Sequence, residues 1–142
     1  MKIFIDGSAG TTGLRIKDRL MKRSDVELTT LSEEQRKDTE SRKQALNSAQ
    51  VAFLCLPDAA AVESVELVEN PDTVIIDTST AHRTSEGWAY GFPELSAEFE
   101  DKIKNSKRIA VPGCHAGGFI ALVYPLVEAG VLGNDALLSC YS

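Results

Sequence analysis

The residue best placed for covalent chemistry in this sequence is Cys114, in the stretch PGCHAGGF. It follows an apolar run through Pro112 and Gly113, and it opens a stretch with the composition of a helix. The partial positive charge at a helix N-terminus stabilises a thiolate, which is the nucleophilic form of cysteine. We therefore predict that Cys114 is a catalytic nucleophile. The alternative is a small residue that fills a tight turn between a strand and a helix.

The other cysteines and the histidines point to different roles. Cys55 lies in VAFLCLP and Cys140 in ALLSCYS, and both apolar runs favour packing in a core. The chain has two histidines, His82 and His115. Because His115 is adjacent to Cys114, this pair lacks the usual spacing of metal ligands, and we predict no metal site.

A glycine-rich stretch near the N-terminus has the composition of a phosphate-binding loop. Residues 7–13 read GSAGTTG, between a strand-like run and a helix-like run. Glycines at this spacing allow a tight turn and let backbone N–H groups approach a pyrophosphate, and the following helix N-terminus adds partial positive charge. The candidate cofactor-binding residues are Gly7, Ser8, Gly10, Thr11, Thr12 and Gly13. The alternative is a tight turn without a ligand.

The residues after the second strand-like run bear on the choice of nicotinamide dinucleotide. In α/β folds that bind these dinucleotides, an acidic residue holds the ribose 2′-hydroxyl of NAD, whereas basic residues accommodate the 2′-phosphate of NADP. The run ends at Ser32, and Arg36 and Lys37 follow within reach. This pattern favours NADP(H), with Ser32 and Arg36 as contacts. Glu33 and Glu34 would instead serve NAD, and a solvated charged turn is the alternative for Arg36 and Lys37.

Short apolar runs alternate with helix-like stretches, and this alternation sets the positions of the candidate residues. The runs predict strands at residues 2–6, 26–31, 51–56, 73–77 and 108–111. The other stretches predict helices at residues 11–23, 39–48, 59–68, 96–105 and 117–129. The pattern predicts an α/β fold, a Rossmann-like parallel sheet with helices on both faces, which binds ligands beyond the carboxyl ends of its strands. We expect the charged run at residues 32–43 to be a solvated loop and helix face.

Composition and charge exclude several classes of protein. The 142 residues, 43% hydrophobic and 25% charged, fit one ordinary domain with a single core. A net charge of -6 argues against nucleic acid or an anionic membrane as a partner. No apolar run approaches the roughly 20 residues that span a bilayer, and no export signal precedes the first strand. We therefore expect a cytoplasmic protein without disulfides.

Four motifs in this order resemble the amino-terminal half of N-acetyl-γ-glutamyl-phosphate reductase, in the shorter of its two types. They are the glycine-rich loop, DTSTAHR at residues 77–83, YGFPEL at residues 90–95 and PGCHAGGF at residues 112–119. Aspartate-semialdehyde dehydrogenases are similar in the glycine loop and in having a catalytic cysteine. The two middle motifs match the reductase pattern.

The resemblance implies an NADPH-dependent reduction of N-acetylglutamyl 5-phosphate to N-acetylglutamate 5-semialdehyde in arginine biosynthesis, with release of phosphate. Cys114 would attack the acyl phosphate and form a thioester, which hydride from the cofactor would reduce. Ser79 is expected near cofactor or substrate phosphate, and Arg83 and Glu94 near the substrate. The alternatives are a structural ion pair for Arg83 and capping of the next helix for Glu94.

The sequence departs from the family pattern in two ways. Gly117 stands where the family often has Thr or Ser, so a hydroxyl contact near the substrate is missing or supplied otherwise. The family's chain is also much longer, and its catalytic histidine lies in a second, α+β substrate domain that makes the subunit contacts. We expect residues 1–135 to form the NADP-binding domain and residues 136–142 to form the first strand of that second domain. The chain alone is then expected to be inactive, and the full-length protein to be a homo-oligomer.

Two further functions stay open on the sequence. A sister dehydrogenase of the aspartate-semialdehyde type would act on another acyl phosphate with the same nucleophile and cofactor. A non-catalytic dinucleotide-binding module would keep the glycine loop, and its Cys114 would react with thiol reagents no faster than a free cysteine.

Overall fold

The chain alternates between strands and helices in a computed structural model, which describes residues 1–133 and 135–141. Within these residues, strands β1 to β6 span Lys2–Asp6, Glu27–Thr29, Val51–Leu54, Val74–Asp77, Ala89–Tyr90 and Arg108–Ala110. Helices α1 to α5 span Thr11–Leu20, Thr39–Ser48, Asp58–Glu66, Ala97–Asn105 and Cys114–Glu128, and a 3-10 helix spans Pro93–Leu95. The five predicted strands and five predicted helices are confirmed, with ends that differ by a few residues.

The strands form one sheet in the order β2-β1-β3-β4-β6-β5, and every neighbouring pair is parallel. The chain places β2 on one side of β1 and then returns to place β3 on the other side. The loops after β1 and β3 therefore diverge, which creates a crevice at the carboxyl ends of these strands. The glycine-rich loop, the DTSTAHR loop and Cys114 all lie at this edge of the sheet, because they follow β1, β4 and β6.

The core lies between one face of the sheet and helices α2 and α3. Phe4, Leu54 and Ile75 of the strands belong to the same apolar cluster as Leu46 of α2, and each is at most 2% exposed. Successive side chains of a strand point to opposite faces, so Ile5 lies on the other face of β1. Ile5 is buried as well. Both faces of the central strand are thus covered, as expected for a Rossmann-like sheet.

The helices begin in two different ways. Asp38 caps α2 by accepting a hydrogen bond from the backbone N–H of Ser41, and Ser96 caps α4 in the same manner. Such a side chain satisfies one of the N–H groups that a helix N-terminus leaves unpaired. Gly10 and Gly113 directly precede helices α1 and α5 as their N-cap residues, and neither supplies a capping side chain. These are the two helices that follow the glycine-rich loop and carry Cys114.

The structure differs from the sequence-based expectations at two places in the second half of the chain. Strand β5 was not predicted, because two residues are too few to show a period. It pairs Tyr90 with Ala110 at the edge of the sheet. The strand expected at residues 136–142 is not formed: residues 136–141 have no regular structure, and Ser142 lies outside the described residues. A strand needs a neighbouring strand for its backbone hydrogen bonds, and residues 136–141 pair with none of the six described strands. The domain boundary at residue 135 stays a prediction.

Helix α5 is apolar along its length, yet it contributes no buried residue. Leu122 and Leu126 of this helix are exposed, and so is Val131 after it. The fully buried packing of the described fold is therefore centred on β1, β3 and β4, and α5 adds only partly buried side chains.

Candidate active site

The glycine-rich loop joins β1 to α1 through a turn that requires glycine at two positions. Gly7 has a φ of 82°, and a Cβ atom there would lie 2.2 Å from the carbonyl oxygen of Cys55. A Cβ atom at Gly13 would lie 2.4 Å from the carbonyl oxygen of Gly7. At Gly10 the nearest such contact is an ordinary one of 3.6 Å. Gly7 thus lets the loop lie against the end of β3, and Gly13 lets α1 begin close against the loop.

The predicted hydroxyl donors of this loop lie where the sequence places them. Ser8 is in the turn and is partly buried, and Thr11 and Thr12 form the first turn of α1 and are exposed. Their contact with a cofactor stays a prediction.

A cavity of about 230 Å³ lies beside the loop. Its wall contains Asp6 and Gly7 at the end of β1, Leu56 after β3, and two arginines, Arg36 and Arg42. The Nε atom of Arg36 is buried and makes no hydrogen bond to any described residue. A buried donor without a partner is costly unless a ligand or solvent satisfies it. Arg36 therefore has a donor available for an anion beside the glycine loop.

The neighbours of Arg36 in the predicted specificity loop make local contacts. The Ser32 Oγ atom accepts a hydrogen bond from Gln35 N at 3.2 Å, and the Ser32 N–H donates to Gln35 Oε1 at 3.0 Å. Lys37 pairs with Glu33 at 3.9 Å between two highly exposed side chains, so this pair adds little stability. The structure thus separates Arg36, at the cavity, from Lys37, on a solvated turn. The role of Ser32 stays a prediction.

The expectation of a solvated face at residues 32–43 is wrong for Arg42, whose side chain is only 11% exposed. Its Nη2 atom donates to Asp6 Oδ2 at 3.0 Å and to Ser64 Oγ at 2.6 Å, and its Nε atom donates to Asp6 Oδ2 at 3.2 Å. Sequence reasoning missed this cluster because the partners of Arg42 come from β1 and α3, far away along the chain. The only available signal was a carboxylate, Asp6, directly before the glycine loop.

The loop after β4 is organised around the buried carboxylate of Asp77. Ser79 donates to it from its N–H at 2.9 Å and from its hydroxyl at 2.6 Å. The Nδ1 atom of His82 lies 2.6 Å from Asp77 Oδ2, and the His82 ring stacks on Trp88 with 4.1 Å between ring centroids. The hydroxyl of Ser79 is therefore occupied in holding the loop together. Its predicted contact with the cofactor or a phosphate stays a prediction.

Arg83 connects this loop to the segment before Cys114. Its Nε atom donates to the carbonyl oxygen of Val111 at 3.0 Å, and its Nη2 atom donates to that of Thr78 at 3.3 Å. A Cβ atom at Gly113 would lie 2.6 Å from Arg83 Nη1, so this glycine makes room for the guanidinium group. Among the described residues Arg83 is bound by carbonyl groups and has no carboxylate partner within ion-pair distance. The structural ion pair considered for Arg83 is therefore absent among the described residues.

Cys114 is exposed and is the first residue of α5. The prediction that it opens a helix at the carboxyl end of a strand is confirmed. Cys55 lies beside the glycine loop and is half-buried; burial raises the pKa of its thiol, and a hydrogen bond with Thr78 opposes this effect. Cys140 is exposed, so the expectation that it packs in a core is wrong.

Glu94 is exposed in the 3-10 helix that precedes α4. The helix cap is Ser96, so the capping role considered for Glu94 is wrong. Glu94 instead lines a cavity of about 300 Å³ together with Tyr124 and Glu128 of α5. The Tyr124 hydroxyl donates to Glu128 Oε1 at 3.1 Å, and this bond raises the pKa of Tyr124. Contact of Glu94 with a substrate stays a prediction.

The described residues also bear on metal ions and membranes. They contain no group of three or more His, Cys, Asp or Glu side chains arranged to hold a metal ion. None of the described helices is both long enough and apolar enough to cross a membrane.

A parallel sheet with a glycine loop at its switch point and a helix N-terminus behind that loop defines an α/β dinucleotide-binding domain. The chain belongs to the semialdehyde dehydrogenase family, because residues 2–105 match the model described as semialdehyde dehydrogenase, NAD binding domain. The class of cofactor is thus a nicotinamide dinucleotide. The match ends before β6, so it includes the glycine loop but not Cys114.

Curated relatives extend the similarity over nearly the whole chain. It is 51% identical over 140 residues to N-acetyl-gamma-glutamyl-phosphate reductase 2 of Pseudomonas putida, covering 99% of this chain and 45% of the relative. It is 55% identical over 134 residues to N-acetyl-gamma-glutamyl-phosphate reductase of Chelativorans sp., covering 94% of this chain and 43% of the relative. The resemblance noted in the sequence is confirmed. The chain spans less than half the length of these relatives.

Solved structures support the fold. Aspartate semialdehyde dehydrogenase II of Vibrio cholerae matches with a TM-score of 0.64 and 18% identity, over 90% of this chain and 46% of that one. Aspartate semialdehyde dehydrogenase of Candida albicans, solved with NADP, matches with a TM-score of 0.62 and 18% identity, over 89% of this chain and 46% of that one. At this level of identity the likeness concerns the fold alone.

Proposed function

We propose that this chain is the cofactor-binding and nucleophile-bearing part of an NADPH-dependent N-acetyl-γ-glutamyl-phosphate reductase of arginine biosynthesis. The observation that carries the proposal is the place of Cys114. It is exposed at the N-terminus of α5, at the same edge of the sheet as the glycine-rich loop. Over the aligned stretch, the chain is 51% identical to one relative that bears this enzyme's name and 55% identical to another.

The proposed reaction begins with attack of the Cys114 thiolate on the acyl carbon of N-acetylglutamyl 5-phosphate. A carbon–sulfur bond forms, the bond to the phosphate oxygen breaks, and inorganic phosphate leaves with its electron pair. The N–H groups at the start of α5 stabilise the negative charge on the carbonyl oxygen, since no side chain caps this helix. NADPH, when bound, would supply the hydride that adds to the acyl carbon of the thioester. Cleavage of the carbon–sulfur bond would then release the semialdehyde and return the Cys114 thiolate.

The residues proposed to hold the cofactor lie around the crevice between β1 and β3. The glycine loop and the first turn of α1 offer backbone N–H groups to the pyrophosphate, with hydroxyl donors from Ser8, Thr11 and Thr12. Arg36, with its unpaired buried Nε, is proposed to hold the 2′-phosphate that distinguishes NADP from NAD. Ser32 and Ser79 are proposed as further contacts.

Arg83 is proposed to hold the phosphate group of the substrate. Its guanidinium group is fixed against Gly113, directly before the nucleophile, by the carbonyl oxygens of Val111 and Thr78. A fixed cation at this place would stabilise the charge that develops on the leaving phosphate. Glu94 is proposed to position the substrate from the neighbouring cavity.

The rest of the proposed machinery belongs to the whole enzyme, of which this chain represents less than half by comparison with its relatives. We propose that a second, α+β domain supplies the acid/base histidine and the contacts of a homo-oligomer, beginning near residue 136. The chain by itself would then bind the cofactor and turn over little.

The experiment is a cysteine series in the full-length protein. Cys114→Ser is expected to lower kcat for phosphate-dependent oxidation of N-acetylglutamate 5-semialdehyde by at least about a thousandfold, because it removes the nucleophile. Cys55→Ser and Cys140→Ser are the matched controls and should stay within about threefold of the wild type. Normal turnover of Cys114→Ser would refute the nucleophile assignment. Preference for aspartate semialdehyde would replace the proposed substrate by that of the sister enzyme.

A further inference from the structure

We infer that Arg42 acts in cofactor binding as the counterion of Asp6, cancelling a carboxylate that would otherwise repel the phosphates beside the glycine loop. This inference rests on the proposed function, because it assumes that a dinucleotide occupies the crevice between β1 and β3. Neither Asp6 nor Arg42 is among the residues proposed above to contact the cofactor, and Arg42 is therefore a positioning residue.

The geometry joins three elements at one carboxylate. Asp6 is the last residue of β1, is 4% exposed and lies directly before Gly7. Arg42 of α2 binds Asp6 Oδ2 through two of its nitrogens, and Ser64 of α3 lies 3.0 Å from the same oxygen. These contacts leave Asp6 with an ion-pair partner and a hydroxyl neighbour inside the fold.

The charges explain why such a pair belongs at this place. Asp6 and Arg42 both line the cavity that also contains Gly7 and Arg36. A dinucleotide brings negatively charged phosphates to the glycine loop, and a carboxylate nearby opposes their binding in a partly buried environment where screening is weak. Arg42 offsets this repulsion. The Nε atom of Arg36 meanwhile has no hydrogen-bond partner among the described residues and stays available for an anion.

A purely structural ion pair would give a different pattern of effects. Buried pairs often add little net stability compared with apolar residues, although breaking one by removal of a single partner is costly. Stability alone therefore gives no reason for a charged pair at the mouth of the crevice. Cofactor affinity distinguishes the two roles, because a structural pair affects the folded fraction and not the affinity of the folded protein.

The test measures dissociation constants of the full-length protein for NADP⁺ and NAD⁺ at low and high salt. Asp6→Asn keeps the shape of the side chain and removes the buried carboxylate, so that Arg42 retains only its pair with the exposed Glu63. It is expected to tighten binding of both dinucleotides by about fivefold to tenfold at low salt, with a smaller gain at high salt. Arg42→Met is expected to weaken binding of both by a similar factor.

Glu63→Gln is the matched control, because Glu63 pairs with the same arginine at 3.4 Å from the exposed side, where its side chain is 53% exposed. It removes the same charge and should change both constants less than twofold, since solvent screens it. If Arg42→Met does not fold, the comparison of Asp6→Asn with Glu63→Gln still shows whether the buried carboxylate affects the affinity for the cofactor.

Two outcomes separate the failure of this inference from that of the proposed function. A wild-type protein that binds both dinucleotides, together with an Asp6→Asn variant that binds them no more tightly than Glu63→Gln, would overturn the role of Arg42 alone. A wild-type protein that binds neither dinucleotide would overturn both.

Discussion

Arg36 and Lys37 have the same charge and adjacent positions, but the fold gives them different surroundings. Arg36 lines the cavity beside the glycine loop and has a buried donor without a partner among the described residues. Lys37 lies on an exposed turn opposite Glu33. A hydrogen bond to a charged group contributes more when it forms away from solvent, so of these two residues Arg36 is the one that we propose as a contact of the 2′-phosphate.

Arg36→Gln is expected to weaken NADP⁺ binding by about tenfold to a hundredfold, which is the loss of a hydrogen bond to a charged group. Binding of NAD⁺ should change little, because NAD⁺ lacks the 2′-phosphate. Dissociation constants from fluorescence titration provide the measurement, with Lys37→Gln as the control that should match the wild type. If Arg36→Gln lost the same affinity for NADP⁺ and NAD⁺, Arg36 would contact a part that both cofactors share and not the 2′-phosphate.

The three cysteines allow a test of the nucleophile by thiol labelling followed by mass spectrometry. Cys114 is expected to react fastest near pH 7, because the proposed nucleophile is exposed at the N-terminus of α5. Cys55 should react slowest, since burial raises its pKa and limits access of the reagent. Exposed Cys140 serves as the internal reference. If Cys114 reacts no faster than Cys140, the non-catalytic dinucleotide-binding module is the better description.

Among the elements, the start of α1 depends most on tight packing at a glycine. Gly13 lies within α1 and Gly118 within α5, so both are helical positions where alanine is intrinsically favoured. Their surroundings are opposite. A Cβ atom at Gly13 collides with the backbone of Gly7, whereas a Cβ atom at Gly118 meets nothing within 4 Å.

Gly13→Ala is therefore expected to lower the free energy of unfolding by about 1–3 kcal/mol through the forced displacement of the loop. Gly118→Ala should raise it by about 0.5–1 kcal/mol, as expected for a helical glycine with free space around it. Denaturant unfolding of both variants gives the comparison. Stabilisation by both substitutions would mean that the loop does not lie against α1 as described.

A carboxylate at the start of α3 joins the loops after β3 and β4. Asp58 accepts hydrogen bonds from the hydroxyl and the N–H of Thr80, and these bonds lower the pKa of Asp58. A carboxyl with a lowered pKa in the folded state stabilises the fold above its ordinary pKa of about 4. This contribution disappears as the pH falls through the lower value of the folded state.

Asp58→Asn is expected to have a lower Tm than the wild type at pH 7, and the difference should close as the pH falls below about 4. Thermal unfolding across this pH range gives the measurement. Glu66→Gln, at the other end of α3, is the control and should follow the wild type at every pH. A constant difference between Asp58→Asn and the wild type would show that the charge of Asp58 is not responsible.

For the whole molecule, a buried leucine of the core and an exposed leucine of the apolar helix α5 are expected to contribute very differently to stability. Leu46 is fully buried against the sheet, whereas Leu122 of α5 is 76% exposed. Leu46→Ala is expected to lower the free energy of unfolding by about 2–5 kcal/mol. Leu122→Ala is expected to change it by no more than about 0.5 kcal/mol. Denaturant unfolding of this chain provides the measurement. A large cost for Leu122→Ala would mean that α5 is packed in solution against another surface.

The sequence predicted the order of elements well, because buried strands and helices leave a local signature in the spacing of apolar residues. It also placed Cys114 and the glycine loop at one edge of the sheet, since parallel strands bring the loops after them together. It missed β5, whose two residues show no period, and it predicted at residues 136–142 a strand that is not formed over residues 136–141. An apolar run indicates a strand only where a neighbour can pair with it.

What the sequence alone determined is therefore the α/β fold, the positions of the glycine loop and of Cys114, and the family resemblance. The tertiary structure decided which polar residues enter the site and which of them are already bound. Arg42 and Arg36 look alike in a charged run, yet the first is bound to Asp6 and the second has a donor that finds no partner in the described part of the chain. This distinction depends on partners brought from β1 and α3 by folding. The spacing of residues along the chain carries no information about such contacts.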